Sequence, residues 1–383
     1  MPYSIVPFLL VIASLFAPAA AQAQRERFIK VEGADLRAKL ETAIKMGRAA
    51  SPQTRFWTAY SFDVRPGVAV DPQGGEFRGS NMNMYGDMIV LTGKSGDMTQ
   101  ETRNLGVFLL HEPDGNSISR VEVYNLDRQR EYSGYPVYWL GRGGNEESLN
   151  LLRGLAESNQ ANKVVEYATV AIALHDDPRV SEVLKTLVRK STNREVRRTA
   201  VHWLGFIGVE TSFLAALIRN ESEDAEVRRG AGYALGVSSD PASLNTLTSL
   251  YRTVADRELR RSLIHSISIN SNQDQAIDFL IKLARSEPDR EAKNQALFWL
   301  GHKAGEKSLG VLKETVEKED ADTEVQKQAV FVISRRPVDE AVPLLIKIAR
   351  THPKPEVRKQ AIFWLGRTGD ARALAFFEEL LGK

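Results

Sequence analysis

Six histidines, His111, His175, His202, His265, His302 and His352, are the first residues to weigh as metal ligands or proton carriers. No two of them stand at ligand spacing. His111-Glu112 lacks the second histidine four residues on that a helical zinc-protease motif needs, so no metal site is expected. His175-Asp176-Asp177-Pro178 reads as an acidic link whose carboxylates cap a helix opened by Pro178. The chain has no cysteine, which removes thiol catalysis, disulfides, cysteine-ligated zinc and lipid attachment through cysteine. It also lacks a Gly-x-Ser-x-Gly elbow, a phosphate loop and a dinucleotide glycine fingerprint. Glu221-Ser-Glu223-Asp224 and Glu319-Asp320-Ala-Asp322 are rich in carboxylates but fall between helical segments, where capping and solvation account for them. No catalytic or cofactor-binding residue is expected on these grounds.

What must position the remaining polar residues is a repeat. Asp224-Ala-Glu226-Val-Arg228-Arg-Gly-Ala231-Gly-Tyr-Ala-Leu235-Gly236 returns in variants with Glu131, Lys163, Glu195, Glu226, Glu258, Glu291, Glu324 and Glu356 in register, at gaps of 31 to 33 residues. So narrow a period means stacked supersecondary units. Five residues after the register position stand Ala168, Ala200, Ala231, Leu263, Ala296, Ala329 and Ala361, mostly small enough for neighbouring helices to approach closely. Two residues before it, Asn193, Asp224, Asp256, Asp289 and Asp322 are helix N-caps. The endings Tyr138–Gly141, His202–Gly205, Phe298–Gly301 and Phe363–Gly366 share Trp-Leu-Gly, with the glycine expected as a left-handed cap. A short polar link then opens a second helix, with Leu244, Leu247 and Leu250 or Leu374, Phe377 and Leu380 on one face.

These capping acids, Val-Arg pairs, small residues and Leu-Gly endings resemble the HEAT family, especially its short phycobilisome-lyase-like subtype. The resemblance spans about residues 128 to 383. It implies a mainly α fold, an α-solenoid of about eight helix pairs. Two copies depart from the pattern. Gly134 and Pro136 interrupt the first helix after Glu131, a distorted entry unit, and Ser268-Ile-Asn270 replaces the Leu-Gly ending after Glu258. Trp139, Trp203, Trp299 and Trp364 share a repeat position and read as core. The doublets Arg197-Arg198, Arg228-Arg229, Arg260-Arg261 and Arg358-Lys359 read as ladders pairing with acids of the next repeat.

Residues 24–127 have another texture, that of a small α+β domain. Leu36, Leu40, Ala43 and Ile44 follow a helical period, whereas Phe56 to Val64 alternate as in a strand with one buried face. Further strands are expected at Met88–Thr92, Leu105–His111 and Ile118–Tyr124, the last two joined by a Glu112-Pro-Asp-Gly115-Asn turn. The glycine-rich segments from Asp71 to Gly75 and from Gly79 to Gly86 read as connections, with Met82 and Met84 as candidates for an adaptable contact surface. Residues 1–23 have an apolar run from Ile5 to Ala17 and end in Ala21-Gln-Ala23, the pattern of a secretory signal cleaved near Ala23.

With 51 basic against 49 acidic residues the chain has no polyanion-binding signature, so nucleic acid is not an expected partner. No later segment reads as a stable membrane anchor. The expectation is an exported, periplasmic or secreted, non-catalytic scaffold that binds a protein or peptide on its solenoid surface. In HEAT-like proteins second helices usually line the concave side, which implies Arg153, Lys282, Lys313 and Lys347 as partner-binding residues. The alternatives are an enzyme, lyase-like or with a hydrolase site in the N-terminal domain, and an envelope structural protein that self-associates through the strand-rich domain.

Overall fold

Alternating large side chains from Phe56 onward form a strand, as period two requires. The computed structural model describes residues 28–70, 81–85, 88–92, 101–158, 160–208, 210–303, 306–318 and 321–382. The expected signal segment 1–23 lies outside the described residues, as does the stretch 71–80. In chain order the strands are β1 (Ile29–Lys30), β2 (Phe56–Ser61), β3 (Val68–Val70), β4 (Asn81–Tyr85), β5 (Met88–Thr92), β6 (Leu105–His111), β7 (Ile118–Asn125) and β8 (Val137–Arg142). The helices of the same half are α1 (Leu36–Ala50), α2 (Asn145–Ala156), α3 (Asn162–Ala173), α4 (Arg179–Lys190) and α5 (Arg194–Ile207). Then come α6 (Thr211–Arg219), α7 (Ala225–Val237), α8 (Ser243–Thr253), α9 (Arg257–Ile269), α10 (Gln273–Ser286), α11 (Arg290–Gly301), α12 (Glu306–Glu317), α13 (Thr323–Ser334), α14 (Val338–Thr351), α15 (Pro355–Leu365) and α16 (Ala371–Leu381). By their internal contacts the residues form two units, Met1–Ile207 and Gly208–Lys383.

In the N-terminal unit five strands form a mixed sheet in the order β1-β8-β2-β6-β7, and β3, β5 and β4 form a second antiparallel sheet. The expected hairpin is present, β6 against β7, with Gly115 at φ +71° in its turn. β2 does not have one buried face; its first five residues are all buried. It is the central strand, so Phe56 faces α1 at Gly47, while Trp57 and Ala59 enter a cluster with Phe28, Phe108 and Tyr132 on the other side. Residues Asn81–Tyr85 are not a connection either. Their period-two alternation of Asn and Met pairs with β5 from Asn81↔Thr92 to Tyr85↔Met88.

The copy at Glu131 is not a distorted repeat. Its Tyr138-Trp-Leu-Gly ending is strand β8, parallel to β1 and β2. Left-handed Ser133 (φ 55°) and Gly134 (φ +72°) turn the chain just before it, and Pro136 cannot donate in a helix interior. The sheet therefore runs past the expected boundary at 127/128, and helices take over at α2. The seven other register residues are each the second residue of a helix, from Lys163 in α3 to Glu356 in α15, and each such helix is followed by a second. Seven helix pairs therefore follow the lone α2.

The expected caps are present. Asp224, Asp256, Asp289 and Asp322 accept first-turn N–H groups, and Asn193 does so for α5. The Leu-Gly glycines of the helices, by contrast, are not left-handed caps, and Gly141, which does have positive φ (+79°), lies on β8. Gly236 and Gly301 are helical, and their role is close approach: a Cβ on Gly236 would stand 2.6 Å from the Ser266 carbonyl of α9, and one on Gly301 would collide with Val332 of α13. Left-handed backbone sits further on, at Gly208 and Gly369 in the links.

Candidate functional site

Two arrangements of polar groups compete for attention, one buried and one laid out along the repeats. The buried one joins the sheet of the N-terminal unit to its helices. The Tyr60 hydroxyl of β2 is 2.8 Å from Ser148 Oγ of α2, which is 2.7 Å from His175 Nε2 at the end of α3. His175 Nδ1 donates to the Ala171 carbonyl at 2.7 Å, so Nε2 must accept from Ser148, and Ser148 from Tyr60. Phe62 stacks on the imidazole at 4.1 Å. Burial pushes the His175 pKa down to about 4, outweighing its backbone hydrogen bond and Asp177, and raises that of Tyr60 well above its ordinary value. Every proton in this row has its acceptor and Ser148 is fully buried, so the arrangement clamps strand to helices.

His111 is likewise internal, 2.9 Å from Thr58 Oγ1 and stacked on Phe56, with burial holding its pKa near 4. Among the described residues no three metal-ligating side chains converge.

Along the repeats the residue two places after the register position turns inward. Arg197 Nε donates to the Val188 carbonyl at 2.8 Å and Arg228 Nε to that of Ile218 at 3.0 Å, with Arg358 on His352 and Pro353. Each satisfies carbonyls at the end of the preceding second helix, and Gln326 does the same on Val316 and Lys318. The expected ladders to the next repeat form at two of the doublets, Arg228 to Asp256 at 3.6 Å and Arg261 to Asp289 at 3.1 Å, while Arg198 and Arg229 hold the glutamate three residues earlier on their own helix.

The four expected partner-binding residues fall in both units. Arg153 is exposed on α2 of the N-terminal unit, whereas Lys282 (α10), Lys313 (α12) and Lys347 (α14) belong to the C-terminal unit. There Lys282 is exposed, Lys313 half-buried, and Lys347 Nζ stands 2.8 Å from Glu317. Arg285–Glu314, Lys307–Asp278 and Arg350–Glu379 bridge the same second helices, so most charge on that row is already matched.

First helices carry a second row that sequence reasoning passed over. Seven residues after the register position stand Tyr233, His265, Phe298, Phe331 and Phe363, half-buried or, for Phe363, 50% exposed. Rings touch from helix to helix: Tyr233–His265 at 6.1 Å, His265–Trp299 stacked at 4.7 Å, Phe331–Trp364 at 5.1 Å. Trp299 and Trp364 are thus half-buried members of this row, Trp203 alone of the repeat tryptophans is fully buried, and Trp139 lies on β8. The signal was there in the sequence as a fixed offset, but it was read only as a helix ending.

Such in-register surfaces on stacked helix pairs define a repeat-solenoid protein. Residues 210–301 and 309–383 match the family model of HEAT repeats. No curated protein matches the chain in sequence. Solved structures similar to it include human deoxyhypusine hydroxylase with glycerol (16% identity, 61% of this chain, 90% of that one, TM-score 0.32). Lipovitellin (14%, 76% and 33%, 0.46) and the CpcE–CpcF complex of phycocyanin lyase from Nostoc (21%, 52% and 83%, 0.29) are others. Likeness at this level says nothing of activity or partner.

Proposed function

We propose that the chain is an exported, non-catalytic scaffold that recognises a protein or peptide through its repeat surface. One observation carries the reading: successive helix pairs of the C-terminal unit present the same side-chain positions again and again, and such a surface contacts an extended partner at many points. Lys282 and Lys313 support a second-helix contribution, since neither makes an ion pair among the described residues. Export rests on the signal pattern of residues 1–23.

The test uses the full chain in its producing cell. Mass spectrometry should find a mature N-terminus close to Gln24 in the envelope or medium; an intact N-terminus confined to the cytoplasm overturns export. Cross-linking should give a stoichiometric partner joined at several repeats of residues 210–383, and K282E/K313E/K347E should weaken it with helical content unchanged. Cross-links confined to residues 28–142 would move the binding role to the strand-rich part.

A further inference from the structure

The last three first helices carry more than rings. On α11, α13 and α15 the position four after the register residue is a glutamine, the seventh a phenylalanine and the eleventh a cationic or imidazole side chain. The sets are Gln295, Phe298 and His302; Gln328, Phe331 and Arg335; Gln360, Phe363 and Arg367. An offset of three residues keeps each glutamine and phenylalanine on one helical face, and the third residue of each set stands just past the helix end. None of the three glutamine side chains has a hydrogen-bond partner among the described residues, although all are half-buried. The acids nearest in sequence are already matched, Glu340 by Arg336 at 2.9 Å and Asp339 by Arg372 at 3.0 Å. Arg335 is exposed with no carboxylate, and Arg367 lies over the rings of Phe363 (4.8 Å) and Trp364 (5.9 Å), also with none.

Resting on the binding reading above, we propose that these three sets form the docking surface for an acidic, proline-containing extended peptide. The surplus cations select carboxylates. A free carboxamide has both a donor and an acceptor, which fits a peptide bond, and half-exposed rings fit the apolar faces of prolines. Spacing agrees: packed helices stand ~8–10 Å apart, and a polyproline II segment advances ~9 Å per three-residue turn. One turn of such a peptide therefore spans one repeat, with a carboxylate delivered to the Arg335 and Arg367 end at each step. His302 Nδ1 donates to the Phe298 carbonyl at 2.9 Å, which leaves Nε2 as the acceptor of the neutral ring.

The experiment measures fluorescence anisotropy of the mature full chain with a labelled (Glu-Pro-Pro)5 peptide, a (Lys-Pro-Pro)5 peptide and a labelled polygalacturonate. The glutamate peptide should bind and weaken with added salt, and R335E/R367E should bind it ~10-fold or more weakly. The milder R335Q/R367Q and the amide variant Q328A serve should the reversal disturb folding, each with a loss of a few fold. Equal binding of the lysine peptide, or no binding of the glutamate peptide, overturns the proposal. So does polygalacturonate binding with the same residue dependence and no peptide binding, which would assign the row to an acidic glycan. Peptide binding lost in K282E/K313E/K347E but kept in R335E/R367E overturns this surface and leaves the scaffold reading standing.

Discussion

The two units handle polar groups in opposite ways. In the N-terminal unit Tyr60, Ser148 and His175 close a hydrogen-bonded row inside the protein, with every donor matched and the imidazole held neutral. In the C-terminal unit the comparable investment is repeated at the surface, where Gln295, Gln328 and Gln360 and the rings beside them recur helix after helix. A closed internal row fixes geometry and has no capacity left for a ligand. A repeated external row leaves capacity at each step, and the number of steps sets how long a partner it can engage.

The largest expected effect tests burial itself. Trp203 has no exposed surface, so W203A should cost ~3–5 kcal/mol, whereas F363A, half-exposed on the outer row, should cost well under half as much. Equal losses in chemical denaturation would erase the distinction between core ring and surface ring. Acid comes next. Burial lowers the pKa values of His111 and His175 from 6.5 to about 4, so the unfolded chain takes up protons before the folded unit does. Their stabilising contribution is full above pH 6.5 and is lost as pH falls from 6.5 toward 4, up to ~3 kcal/mol each. H175Q should flatten that part of the stability profile, and hydrogen exchange should show the loss in residues 28–207. A profile of unchanged slope in H175Q would mean the imidazole takes up its proton in the folded unit at the same pH as in the unfolded chain.

Much of this was legible beforehand because capping and period are local. Asp224, Asp256, Asp289 and Asp322 announce helix starts by what they are and where they stand, and Gly115 announces its turn. Trp139 misled because Tyr-Trp-Leu-Gly suits a strand as well as a helix; the decision was made by the turn at Ser133-Gly134 and by two neighbouring strands, both far off in sequence. Gly236 and Gly301 misled for a related reason. Whether a glycine caps its own helix or admits the next one depends on a partner a whole repeat away. The Gln, Phe and Arg offsets were in plain view, but which helical face is left uncovered is a property of packing.

The smallest effect separates the two surface rows of the C-terminal unit. Lys347 and Glu317 are 2.8 Å apart with about three-fifths of each side chain exposed, so the pair contributes ~0–1 kcal/mol and E317Q should leave the melting temperature within a degree or two. Its use is in binding. Removing the Glu317 charge turns Lys347 into a free cation beside unmatched Lys313 and Lys282. If the second helices recognise an anionic partner, E317Q should tighten binding by a few fold at low salt, an advantage that vanishes as salt screens it. If the first-helix row does the recognising, E317Q should leave affinity for the (Glu-Pro-Pro)5 peptide unchanged while R335Q/R367Q lowers it. Tightening by E317Q together with indifference to R335Q/R367Q would assign recognition to the second helices and reverse the order of the two rows.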